Sequence, residues 1–194
     1  MTTSRNSVVG IRDQLVRAAY ELYTRTGVRA VTSDMIAARA GVSKTTLLEY
    51  FPSLDELVTV VLDRRERLWT FGLIEEQSRL RGATPEEQLL AIFDVFDEWF
   101  AAADFDACLF INVLLEMGAE HPLGQAGIEH LQTIRDIVSA RAERAGLSDI
   151  DNFARCWHIL MKGAIVAAAE GDRQAARRTK TMAAALIRLH RDAA

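Results

Sequence analysis

A chain of 194 residues, 49% hydrophobic with three prolines and eleven glycines, has room for one large or two small domains and fits an ordered, helix-rich protein. It has no charge-free stretch long enough to span a bilayer, its first twelve residues lack an apolar signal core, and two cysteines, Cys108 and Cys156, are too few for a disulfide framework or a CxxC metal site. A cytoplasmic protein is expected, with both cysteines as small core side chains. The net charge of −4 is unevenly spread: residues 1–52 hold seven basic against four acidic side chains, and the remainder sixteen against twenty-three. The local positive charge that phosphate contacts need therefore lies at the front.

Residues Met1 to Ser7 are polar and read as a disordered terminus, with Arg5 as a candidate arm onto DNA. Ile11, Leu15, Ala18, Ala19 and Leu22 then repeat at helical spacing until Gly27. Thr32 offers an N-cap hydroxyl to a second helix with Met35, Ile36, Ala37 and Ala40 as its apolar stripe, and Gly41 ends it. Ser43 caps a third helix, Lys44 to Tyr50, whose Leu47 and following Phe51 point inward while Lys44, Thr45, Thr46 and Tyr50 point outward. Ala37, Gly41 and Leu47 thus supply a small residue at a helix crossing, a glycine at the turn and an aliphatic anchor. This is the spacing of a helix-turn-helix, whose second helix enters the DNA major groove. An ordinary αα-hairpin shares the glycine but does not require the Ala, Gly, Ser cap and anchor at these offsets.

Pro52 and Ser53 start a long fourth helix carrying Leu57, Val58, Val61, Leu62, Leu68 and Trp69 inward up to Arg81-Gly82. Thr84-Pro85-Glu86-Glu87 opens the next, with Leu89, Ile92, Phe93, Phe96, Trp99 and Phe100 on one face. Residues 107–115, ACLFINVLL, are apolar nearly all round and read as a buried central helix. His121-Pro122 and Gly124 mark a break, Leu131 to Ala145 an amphipathic helix, and Ser148 or Asp149 the cap of a helix carrying Phe153, Trp157, Leu160, Ala164 and Ala167. Met182, Ala183, Leu186 and Leu189 mark a final one. The chain reads as all-α with about nine helices: a three-helix head, residues 1–52, and a helical dimerisation body, residues 53–194, to which the family resemblance given below adds ligand binding. Small residues on the last two helices, Gly163, Ala164, Ala167 and Ala168, then Ala175, Ala176 and 183–185, make that pair the expected homodimer contact, since one short head reads only one half-site.

The head resembles the TetR family of bacterial transcriptional regulators. The carrying residues are Ile11 to Gly27, Thr32, Ile36-Ala37, Ala40-Gly41-Val42-Ser43, Thr46-Leu47, Tyr50-Phe51 and Asp55-Glu56-Leu57, and CLFINVLLE with GAIVAAAEGD resembles one C-terminal subclass. The resemblance implies a homodimer on a palindromic DNA operator, with contacts from Thr32, Ser43, Lys44, Thr45, Thr46 and Tyr50. It also implies a small-molecule effector in the body that shifts the fourth helix and releases DNA. Leu48 and Leu54 stand where the family usually has a tyrosine and a lysine, and Glu49 adds a negative charge, so the grip is expected to be weaker or unusual.

Candidate pocket residues are Phe71, Phe96, Trp99, Phe100, Phe110, Asn112, Glu116, Trp157 and Met161. Asn112 and Glu116, four apart on the most apolar helix, need partners, either protein groups such as an arginine or the Trp157 N–H, or a polar ligand; the protein groups are favoured. His, Cys and acidic spacings call for no metal, no cofactor is implied, and no phosphate loop, nucleophile elbow or zinc-protease helix is present. The reading is a non-enzymatic, ligand-responsive DNA-binding repressor. Its rivals are a ligand-binding protein of the same fold with weakened DNA binding, and a helical enzyme built on Glu116 and His158.

Overall fold

The computed structural model describes residues 3–103 and 105–192, and among these the regular structure is helical throughout, with no strand. Helices α1 (Thr3–Thr26), α2 (Ser33–Ala40) and α3 (Lys44–Tyr50) come first. Helix α4 begins as α-helix over Leu54–Arg65, continues as π-helix over Glu66–Gln77 and closes with Ser78–Arg81. Then follow α5 (Pro85–Ala101), α6 (Leu109–Met117), α7 (Pro122–Arg144), α8 (Ile150–Ala169) and α9 (Ala175–Asp192). No helix is long and apolar enough to cross a membrane among the described residues.

Residues 3–7, expected to be disordered, are the first turns of α1. Met1, Thr2 and the Arg5 side chain, with the arm assigned to it, lie outside what is described. The break expected at His121 to Gly124 is instead a helix start: α7 begins at Pro122, the His121 ring accepts from Leu123 N–H at 3.2 Å, and Gly124 lies inside the helix against the Gly118 carbonyl. Asp149 occupies the N-cap position of α8 but makes no side-chain cap bond, while Ser148 donates to the His190 carbonyl.

Contacts group the chain into two compact units, residues up to Arg65 with Leu109–His130, and Glu66–Cys108 with the residues from Leu131 onward. The first holds α1–α3, the start of α4, α6 and the start of α7. Its core is Leu15, Ala19, Tyr23, Ile36, Leu47, Phe51 and Leu57, each at most 1% exposed. The Arg12 guanidinium lies 5.0 Å over the Phe51 ring and Arg65 lies 5.5 Å over Tyr20, so long cationic stems cover the apolar interior. Asp13 ties α1 to α4 through Arg64. Phe110 stacks on His130 at 4.9 Å, and His130 Nε2 lies 3.7 Å from Asp63. Helix α6 is not buried all round: Leu109, Phe110 and Val113 face inward, but Leu115 is 78% exposed, because a nine-residue helix here packs on one side only.

In the second unit the π-helix resets the periodicity of α4. Its wider i→i+5 register turns Trp69, Thr70 and Ile74 inward and leaves Leu68, expected inward, 61% exposed. Arg141 of α7 closes that segment. Its guanidinium donates to the Glu75 carbonyl and the Ser78 hydroxyl, both at 2.6 Å, and to the Gln88 carbonyl at 3.2 Å. Burial pulls its pKa down to about 10, so it remains charged at neutral pH. Helix α5 opens with a capping box of Thr84 and Glu87 behind Pro85. Helix α9 is tied to α5 by Lys180–Asp94 at 2.6 Å and Arg177–Asp97 at 2.9 Å.

Candidate nucleic-acid interface and body chemistry

The turn between α2 and α3 is built from backbone bonds that the sequence makes obligatory. Gly41 adopts φ 70° with its N–H on the Ala37 and Ala38 carbonyls, and Val42 N–H returns to Ala37 at 3.0 Å. A side chain at Gly41 would be strained in this left-handed conformation, so glycine sets the angle of the turn. Thr32 Oγ1 accepts from Met35 N–H at 3.3 Å and Ser43 Oγ accepts from Thr46 N–H at 3.0 Å, capping both helices. Leu47 and Phe51 are 0% exposed beneath α3, while Met35, placed in the apolar stripe of α2, is exposed.

The six residues expected on DNA divide in use. Thr32 and Ser43 are caps, and the Thr46 hydroxyl lies 2.8 Å from Ser43 Oγ, within the same cap. Lys44 and Thr45 are exposed at the start of α3 and Tyr50 is half-buried at its end. Lys44 Nζ bonds Asp34 of α2 at 2.9 Å across open surface, an ion pair that solvent weakens and a phosphate can replace. Arg39 pairs with Glu21 in the same way. Leu48 is 44% exposed and Glu49 is exposed, so the two atypical residues of α3 do lie on its outer side.

The candidate pocket residues do not form one group. Phe96, Trp99 and Phe100 join Trp69 and Phe105 in a cluster with ring centroids 5.0 to 6.1 Å apart. Phe93 extends it to Trp157, 5.3 Å away, and Trp157 to Phe153. Met161 is buried one turn beyond Trp157. Phe71 is 41% exposed, because the π register turns it outward, and Phe110 packs in the first unit. Trp157 Nε1 and Thr70 Oγ1 are buried without a partner among the described residues, an arrangement that costs free energy until something polar meets them.

Glu116 takes neither Trp157 nor an arginine side chain as partner. Its two oxygens accept from the backbone N–H groups of Val28, at 2.8 Å, and Arg29, at 2.6 Å. Asn112, one turn earlier, is half-buried and makes no bond among the described residues. His158, 2% exposed, is pushed down to about 3 by burial, then by Lys162 and Arg135; its neutral ring accepts from Arg135 Nη1 at 3.3 Å. Burial, then Arg135, also lowers Lys162. Arg135 and Lys162 were missed from sequence, although the i, i+4 spacing of His158 and Lys162 on α8 was there to read. No group of three metal-capable side chains occurs among the described residues.

The comparisons with known proteins agree with this architecture. Residues 15–61 match the model of the tetR family of bacterial regulatory proteins. A TetR-type transcriptional regulator from Streptomyces avermitilis is 28% identical, with a TM-score of 0.75 over 84% of this chain and 89% of its own. A TetR-family regulator from Streptomyces coelicolor is 23% identical, with a TM-score of 0.85 over 93% of this chain and 95% of its own. The regulator FadR of Bacillus subtilis, solved with stearoyl-CoA, is 18% identical with a TM-score of 0.72 over 90% and 96%. No curated protein matches the chain. Residues 15–61 thus fit the model of the tetR family of bacterial regulatory proteins, and the helical architecture is the one shared by solved TetR-family regulators.

Proposed function

We propose that the chain is a ligand-responsive repressor of the cytoplasm, in which the head, residues 1–52, reads a palindromic operator and the body, residues 53–194, dimerises and binds an apolar or amphipathic effector. The observation that carries the DNA-reading part is α3 itself: capped by Ser43 and seated on fully buried Leu47 and Phe51, it presents Lys44 and Thr45 to solvent at its N-terminal end, where a recognition helix meets bases and phosphates. The unpartnered Trp157 N–H and Thr70 hydroxyl in the aromatic body favour an effector that is apolar with a few polar atoms, and FadR, of the same fold, was solved with stearoyl-CoA.

A face of small and apolar residues supports dimerisation through α8 and α9. Ile159, Gly163 and Val166 on α8, and Met182, Ala185 and Leu189 on α9, are all exposed in the single chain. Ala164, Ala175, Ala176 and Ala183 serve a different purpose, being buried within the chain.

A second reading, a ligand-binding protein of the same fold with a weak DNA grip, is favoured by exposed Leu48 and Glu49 and by the capture of Lys44 by Asp34. Titrating duplex DNA across a salt series separates the two. Lys44→Ala should weaken binding on all sequences and reduce the salt slope by about one. An unchanged slope removes Lys44 from the phosphate contacts, and weak, sequence-indifferent retention by the wild type favours the second reading.

A further inference from the structure

Gly27 ends α1 at φ +80°, and the two N–H groups that follow converge on one carboxylate, Glu116 of α6, far away in sequence. The fit is close: a Cβ on Gly27 would stand 2.9 Å from Oε2 and 3.0 Å from Oε1. A carboxylate near the C-terminus of α1 works against the helix dipole, so the site is held by its two short, charge-assisted bonds and not by the general field. Helix α6 packs against α1 and α4, and all of these residues lie in one compact unit.

We propose that Glu116 is a positioning residue for DNA binding: its carboxylate pins the α1–α2 turn to α6 and thereby preorganises α2 and α3 for the operator. This rests on the reading of α3 as the DNA-contacting helix and adds a control point to it. Both bonds break together when α6 shifts by about 1 Å, since hydrogen bonds fail beyond ~3.5 Å. Asn112 lies one turn back on the same face of α6, half-buried and without a partner among the described residues. An effector that draws on Asn112 thus pulls on the element that holds the head. Once unpinned, the head pays an ordering cost when it docks on DNA, and affinity falls.

The test uses Glu116→Gln, which keeps the volume but offers a single acceptor oxygen, and Glu116→Ala, on full-length protein with a duplex selected by the wild type. Expected are roughly tenfold weaker DNA binding and faster amide exchange at Val28 and Arg29, with helical content and dimer mass unchanged. Gly27→Ala displaces the same carboxylate, so adding it to Glu116→Gln should weaken binding less than the two separate effects combined. Wild-type binding with an unchanged Glu116→Gln affinity overturns the proposal, as does unaltered exchange at the two amides. If the wild type retains no duplex at any salt, the DNA-reading proposal itself fails and carries this one with it.

Discussion

His158 shows at the scale of one residue how burial sets chemistry. Its ring is held far below the ordinary value of 6.5, at about 3, so the folded chain keeps it neutral across the physiological range. Below pH ~6.5 the unfolded chain takes up a proton that the folded one refuses, so this group's contribution is complete above that pH and is lost as pH falls toward 3. The loss approaches about 1.4 kcal/mol per pH unit at most. Denaturant unfolding at pH 7, 5.5 and 4.5 should show a shallower acid slope for His158→Gln than for the wild type; equal slopes contradict the assignment. His158, 2% exposed, and Glu116, engaged by two backbone N–H groups, are not the water-accessible polar pair that the enzyme reading needed. Residues whose roles depend on near neighbours were legible in sequence: Thr32 and Ser43 as caps, Gly41 as the turn, Leu47 and Phe51 as anchors. Glu116 was legible only as a polar residue in need of a partner, because the partner is backbone that only the tertiary fold brings to it.

Among the elements, α4 departs most from its sequence reading. Nothing in the apolar pattern announces a π register over Glu66–Gln77; its end is held by Arg141 from α7, which takes up the Glu75 carbonyl, and by the Ser78 hydroxyl of the last turn of α4, which takes up the Ile74 carbonyl. The apolar period therefore failed at Leu68 and Phe71, though it held at Leu57, Val58, Val61 and Leu62. Helices α8 and α9 read more easily, because each has one apolar face within the chain and a second, narrower one outside. Val166, 52% exposed on α8, sits at the centre of that outer face with Ile159 and Gly163. At the dimer contact proposed above, Val166→Glu would bring two like charges together across a two-fold axis. Sedimentation should then give a monomer of 21.6 kDa where the wild type gives twice that mass, with cooperative melting retained. An intact dimer would move the contact elsewhere.

For the molecule as a whole, the charge asymmetry is more modest in the fold than in the sequence. Asp13, Glu21 and Asp34 pair with Arg17 and Arg64, Arg39 and Lys44, which leaves Arg12, Arg25 and Arg29 as exposed cations of the head in no ion pair among the described residues. DNA binding then depends on phosphates competing for ion pairs that exposed surface holds only weakly. This predicts strong salt dependence and an affinity that two linked heads can reach more readily than one. Fold class and head were legible because caps, turn glycines and helical period act locally. The proposed effector site was legible only as an aromatic composition, since which rings meet depends on the register of α4. The most direct measurement is selection of bound duplexes from random DNA by the full-length protein, read across a salt series. The account predicts an inverted repeat with two half-sites about one helical turn apart, and binding that weakens steeply with salt. Recovery of no shared sequence, with weak retention at every salt, would contradict it.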